Sequence, residues 1–282
     1  CETVFDRITR STDVKEILIT ADGVSFVLGE ERIRLYAPEN EARVAPIEVM
    51  NFNHYEPAET RVMDLLAANA RSILDVGANI GLYAIRFAKR FAQARVYAFE
   101  PLPTSHAFLH RNVAANAVGD RVSCFNYGLS ETSGTVDFFI SPAAGTNASL
   151  LNVAGAQDAQ RVVGLTLTLD QWTANQGVVP DFIKCDVEGA ELLVFRGGRA
   201  TLAKAQPIVF AELLRKWSKP FGYHPNDMLA FFAELGYQCF AVGEGGVRRI
   251  TEVTDDTPET NYAFLHAQKH ADTIQRLTTI AG

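Results

Sequence analysis

The sequence predicts a doubly wound α/β fold, a mostly parallel sheet with helices on both faces, preceded by a small antiparallel β appendage. Two observations predict it. From residue 57 onward, short apolar runs suited to buried strands alternate with stretches of helical periodicity, and repeating units of that length imply a parallel sheet covered on both faces. Before that, residues 15–36 alternate apolar and polar side chains around Ala21-Asp22-Gly23 and Gly29-Glu30-Glu31, which predicts two or three antiparallel strands. The expected division is a β-rich cap over residues 1–50 and a larger α/β domain over residues 51–282.

The elements follow in order. APENEARVAPIEVMNFNHYEPAET, with three prolines and little periodicity, reads as loop. A helix then opens at Pro57, a residue preorganised for a first turn, with Val62, Leu65, Leu66 and Ala70 on one face. SILDVGA, RVYAFEP and RVSCFNYGL read as strands separated by the helices GLYAIRFAKRF and TSHAFLHRNVAANA. TVDFFIS and RVVGLTL read as strands flanking a small-residue loop, residues 143–159, placed as a lid or specificity segment. Alternation resumes with DFIKCDVE, one helix over AELLVFRGGRATLAKA, the strand PIVFAELL and the helix NDMLAFFAELG. YQCFAVG and NYAFLHA close the pattern around a polar hairpin-like stretch.

Charge and composition narrow the function. The net charge of the 282 residues is -7 and the basic residues are scattered, so no basic face points to nucleic acid. No apolar stretch approaches membrane-spanning length, and CETVFDRITR has no signal-like apolar core. Cys124, Cys185 and Cys239 lie in apolar runs without metal-type spacing, which predicts buried reduced thiols and a cytoplasmic setting.

In a doubly wound sheet, ligands bind where strands end at their carboxyl edge, near the reversal of strand order. The residues leaving the strands are therefore the candidates: Asp75 to Gly81, Glu100 and Pro101, Tyr127 to Leu129, Asp186 to Glu188, and Glu212. Gly77 and Gly81 allow a sharp turn and close approach of backbone to ligand. Ala78 and Asn79 stand between them, and Asn79 and Leu82 occupy positions where a dinucleotide-binding turn has glycine. Asp75, at a strand end, repels phosphate and suits a cation or an amino group. Glu100, nineteen residues beyond Gly81, is placed to accept hydrogen bonds from ribose hydroxyls. Together Asp75, Gly77, Gly81 and Glu100 specify S-adenosylmethionine better than a nicotinamide cofactor.

ILDVGANIGLYA, AFEP, NVAANA, YGLSETSGTVDFF, LTLDQW and above all IKCDVEGAELLVFRGG resemble, in order, the FkbM-type S-adenosylmethionine-dependent methyltransferases, over about residues 52–267. The resemblance implies a seven-stranded sheet whose last strand is antiparallel, and methylation of a hydroxyl, often on a sugar or natural-product scaffold. It implies that Asp75 to Gly81 form the methionine-binding turn, that Glu100 binds ribose, and that Gly128 and Leu129 border adenine. Tyr55 and Glu56 match a family element close to the cofactor.

Methyl transfer is an in-line displacement in which positioning supplies much of the rate and a base takes the acceptor's proton late. Asp186 is read as that base or as the residue that positions the acceptor. Glu188 shares its face or caps the following helix, and Glu212 exits the next strand toward the same place. The three carboxylates are alternatively oxygen ligands for Mg²⁺, as in catechol-type methyltransferases, a reading the resemblance does not require. Lys184 is read as solvent-facing or helix-covering, Asp170 as an N-cap, and Asn112 and Asn116 as bonding neighbouring loops. Trp217 and His224 are further candidates for a sugar site. A small-molecule or glycan acceptor is expected; the N-terminal strands are open to use as a dimer contact or a pocket cap. A nicotinamide-dependent oxidoreductase and a non-enzymatic binding module remain the alternatives.

Overall fold

The computed structural model describes residues 12–38, 45–52, 57–140, 148–150 and 160–280. Strands β1 (Val14–Thr20), β2 (Gly23–Leu28) and β3 (Ile33–Tyr36) form the expected antiparallel sheet. Helix α1 (Ala45–Phe52) follows in the stretch read as loop. The three prolines and little periodicity of that stretch are the reason for the misreading: proline, here Pro46, is tolerated in a first helical turn, where its missing N–H would have no partner anyway. Helix α2 (Pro57–Ala67) then leads into β4 (Ser72–Val76), α3 (Leu82–Arg90), β5 (Arg95–Phe99), α4 (Pro103–Ala115) and β6 (Val122–Phe125).

The interruption is a sheet of its own. Strands β7 (Gly128–Leu129), β8 (Gly134–Ile140), β9 (Ala148–Ser149) and β10 (Gln160–Leu167) pair in the order β7-β10-β8-β9. After α5 (Leu169–Gln176) come β11 (Phe182–Cys185), α6 (Glu191–Arg196), α7 (Arg199–Ala205), β12 (Ile208–Glu212), the short α8 (Arg215–Ser218), α9 (Pro225–Glu234), β13 (Tyr237–Gly243), β14 (Gly246–Ile250), β15 (Asn261–His266) and α10 (Ala271–Ile280). The last helix lies beyond the elements the sequence analysis predicts; Leu277 buries its side chain in the core and Ile274 packs against it.

The main sheet runs β14-β13-β15-β12-β11-β4-β5-β6. Strands β6, β5, β4, β11 and β12 are parallel, and β15 is antiparallel to both its neighbours. This is the expected seven-stranded arrangement extended by an eighth strand, β14, which the polar hairpin adds at the edge. Strand order reverses between β4 and β11, and Val76 lies opposite both Phe99 and Cys185, so three strands end level there. Alternate residues feed opposite cores, as a pleated strand requires. Ile73, Val96 and Phe182 join one cluster, which also takes Val14, Phe26 and Leu35 of the small sheet. Leu74, Phe99 and Ile183 join the other, around Trp172. Cys185 and Cys239 are buried free thiols and Cys124 is half-buried. Among the described residues, no helix is long and apolar enough to cross a membrane.

Two joints depart from simple periodicity. The expected single helix after β11 is split into α6 and α7 at Gly197 and Gly198, and Gly197 is required there because a Cβ would lie 2.1 Å from the Ser130 carbonyl oxygen. Asp170 does cap a helix, but α7 rather than its own: its carboxylate accepts from the Ala200 and Thr201 amides at 3.1 and 2.7 Å, while Thr168 caps α5. The second joint is the outer edge of β3. Asn116 exchanges hydrogen bonds with both backbone groups of Arg34 (2.9 and 2.7 Å), and Asn112 does the same with Tyr36 (2.7 and 3.0 Å). One turn of α4 thus stands in for a neighbouring strand, satisfying an edge that would otherwise lie open.

Candidate functional site

The residues of the turn after β4 are fixed by backbone. The Gly77 and Ala78 amides both donate to the Phe99 carbonyl at 3.0 Å, and Gly77, Asn79 and Gly81 take left-handed φ values of 79°, 49° and 97°. Gly77 cannot be replaced without movement, since a Cβ there would sit 1.8 Å from the Asp186 carbonyl oxygen. The glycine turn after β4 and the acidic turn after β11 are therefore in direct backbone contact at the point where strand order reverses.

Between them lies a cavity of about 250 Å³. Gly77, Ala78, Asn79, Glu100, Pro101, Gly128 and Leu129 line one side; Asp186, Glu188 and Glu212 line the other. Phe138 and Thr166 of the second sheet border it as well. Asp75 and Gly81 support the wall from behind and are not part of the lining. Tyr55 and Glu56 lie outside the described residues, as does most of the 143–159 loop.

Glu100 is buried, and its two carboxylate oxygens accept the Asn79 and Leu102 amides, each at 2.9 Å. Burial pushes its carboxyl up to about 7, opposed by those two amides. Each oxygen keeps acceptor capacity for a hydroxyl. Asp75 is fully buried, and burial raises its carboxyl above the usual range against the pull of Lys184. Lys184 Nζ lies 3.7 Å from Asp75 Oδ1, 3.3 Å from Asp186 Oδ2 and 5.1 Å from the centre of the Tyr83 ring. The expectation that Lys184 faces solvent or merely covers a helix is thus overturned. All four residues of β11 are buried because the strand is central and covered on both faces, so an ammonium there requires a carboxylate partner. That reasoning was available from the position of Lys184 inside an apolar central run.

The turn after β11 also differs from its reading. Glu188 does not cap the following helix. It lines the cavity with φ of 55°, a conformation uncommon for a residue with a side chain. The carboxylate that satisfies the turn is Glu191, only 2% exposed. Its Oε1 accepts the Val187 and Gly189 amides at 3.0 and 3.1 Å, and its Oε2 lies 3.2 Å from the Tyr223 hydroxyl, which donates to the Gly189 carbonyl at 2.8 Å. Burial pushes Glu191 up to about 7. Sequence reasoning missed Glu191; the signal was an acid one residue beyond a Gly-Ala pair at the start of a helix, placed to reach back to free amides.

None of the remaining candidates lines the cavity. His224 caps α9, its Nδ1 accepting the Asn226 amide at 3.2 Å while Asp227 accepts the His224 amide at 2.7 Å. Trp217 packs its backbone against Gly189, where a Cβ would lie 2.3 Å from the Trp217 carbonyl oxygen. Asn112 and Asn116 bond backbone as expected. Among the described residues, no group of three or more His, Cys, Asp or Glu side chains is arranged to hold a metal ion.

Comparison with known proteins supplies the family. The Methyltransferase FkbM domain matches residues 75–239, more than half of the chain. Methyltransferase sdnD of Sordaria araneosa is 30% identical over 44% of this chain and 59% of its own length. The 2-O-methyltransferase NoeI of Sinorhizobium fredii is 29% identical over 52% of this chain and 65% of its own. The hexuronic acid methyltransferase AglP of Haloferax volcanii is 32% identical over 49% of this chain and 56% of its own. The match thus spans less than two thirds of each of these three relatives. The domain match begins at Asp75, within β4, and ends at Cys239, within β13, so it encloses both turns that meet at the cavity, and this chain belongs to the FkbM methyltransferase family.

Proposed function

We propose that this chain transfers a methyl group from S-adenosylmethionine to a hydroxyl of a sugar, glycan or natural-product acceptor. The observation that carries the reading is the sign of the cavity wall. Glu48, Glu100, Asp186, Glu188 and Glu212 line it, and among the described lining residues Lys184 is the one cation. Such a wall attracts a cationic nucleoside and repels a pyrophosphate. The names of NoeI, a 2-O-methyltransferase, and AglP, a hexuronic acid methyltransferase, support an acceptor of the carbohydrate kind.

In this reading Glu100 holds the ribose hydroxyls, with its carboxylate preoriented by the Asn79 and Leu102 amides. The Gly77–Asn79 backbone lets the methionine part approach closely, and Gly128, Leu129 and Phe138 supply the apolar border of the base. The bound cofactor supplies an electrophilic methyl group. Asp186 receives the acceptor's hydroxyl and takes its proton late in the transfer, oriented by Lys184 at 3.3 Å. Glu188 and Glu212 fix the acceptor's other hydroxyls. Substrate alignment then carries much of the rate.

Calorimetric titration with S-adenosylmethionine and S-adenosylhomocysteine tests the first half: saturable binding of both is expected, and absence of either sinks it. A labelled-methyl screen across neutral sugars, uronic acids and polyol scaffolds tests the second half, with label expected in an alkali-stable ether.

A further inference from the structure

The turn after β11 is an improbable piece of backbone held by one buried side chain. The Asp186 amide makes the last ladder bond, to Val76 at 3.0 Å; beyond it the chain leaves the sheet. Glu188 and Gly189 then take successive left-handed conformations, φ 55° and 98°, which the first of them adopts only under constraint. The Val187 and Gly189 amides turn away from the sheet, and buried amides need acceptors. Glu191 Oε1 accepts both. Tyr223 closes the other side by donating to the Gly189 carbonyl, and the Trp217 backbone blocks outward movement of Gly189. The product of this arrangement is that Asp186 and Glu188 both line the cavity.

We propose that Glu191, braced by Tyr223, is a positioning residue that holds the Asp186–Gly189 turn in the shape that presents both cavity carboxylates. This rests on the reading of the cavity as a methyltransferase site. Glu191 is not among the residues that line the cavity. It acts on Asp186 and Glu188 through the backbone, and on the glycine turn through the contact between Gly77 and the Asp186 carbonyl. What it must supply is one oxygen able to accept two N–H groups at once. A glutamine retains such an oxygen; an alanine does not.

The test compares Glu191→Ala, Glu191→Gln and Tyr223→Phe in the full chain, with amide hydrogen exchange and calorimetric titration of S-adenosylhomocysteine as readouts. Glu191→Ala is expected to speed exchange at Val187 and Gly189 on the order of tenfold or more, with the β5 amides unchanged. It is expected to weaken the nucleoside several-fold, and Glu191→Gln to restore both readouts to near wild type. A purely structural contribution would lower the melting temperature without this local pattern and without rescue. Should the alanine variant fail to fold, Tyr223→Phe carries the test, with faster exchange expected at Gly189. The proposal is overturned if the Val187 and Gly189 amides of the folded variants stay protected, or if the glutamine variant behaves like the alanine one. Failure of the wild-type chain to bind the nucleoside would remove the functional reading instead, since the exchange pattern tests the clasp by itself.

Discussion

The two turns that meet at the cavity are built on opposite principles. After β4, shape is carried by backbone: amides of Gly77 and Ala78 on the Phe99 carbonyl, left-handed residues, and a carboxylate held by one amide on each oxygen. After β11, shape is carried by charge: Asp186 against Lys184, Glu188 in a strained conformation, and Glu191 buried beneath them. A backbone cradle tolerates little variation and suits a ligand that never changes. A turn held by side chains can be re-aimed by substitution, which suits a reaction whose acceptor differs among relatives. The difference teaches that the two halves should fail differently when altered.

Asp186→Asn should give the largest loss. Turnover in a labelled-methyl assay is expected to drop by roughly 10²–10⁴-fold, with S-adenosylhomocysteine affinity changed by no more than about threefold; equal losses in both would erase the contrast between the halves. Gly77→Ala should act on the fold first, because its Cβ would meet the Asp186 carbonyl. A loss on the order of 3 kcal/mol, roughly 6–12 °C in melting temperature, is expected, and calorimetry should show nucleoside binding lost with it. Glu100→Ala should do the reverse of Asp186→Asn, weakening the nucleoside by about 10–100-fold through loss of charged hydrogen bonds. Asn112→Ala removes three hydrogen bonds, to both backbone groups of Tyr36 and to the Ile80 carbonyl. It is expected to destabilise by about 1–3 kcal/mol in denaturant unfolding.

The remaining effect is on pH. Glu100 and Glu191 both rise from an ordinary 4.5 to about 7 because burial disfavours their charged forms. The folded chain therefore binds protons more tightly than the unfolded one. The stability these groups contribute is fully present below pH 4.5 and is lost as pH rises through about 7. Melting temperature should fall from pH 5 to pH 8, and Glu191→Gln should flatten that slope.

Much of the fold was legible because period and punctuation agreed. The alternation of apolar strand and amphipathic helix from Ser72 to Glu234 left one architecture open. Helix α1 was missed because its stretch carries three prolines and little periodicity, and the split of α6 from α7 was missed because Gly197 and Gly198 were read through as continuous helix. In the site, residues that leave strands were legible from topology, so Glu100, Asp186, Glu188 and Glu212 were named and all line the cavity. Lys184 was named but read as solvent-facing or helix-covering, and Glu191 was not named. Their roles depend on burial and on a partner: Lys184 lies inside an apolar central run and Glu191 directly follows a Gly-Ala pair, signals of position rather than of period.

The small N-terminal sheet has a consequence beyond its own stability. The Asn112 amide group grips Tyr36 at the rim of that sheet and Ile80 inside the glycine turn at the same time. A single side chain thus rivets an outlying hairpin to a residue that lines the cavity. Whatever pulls on that hairpin pulls on the pocket too.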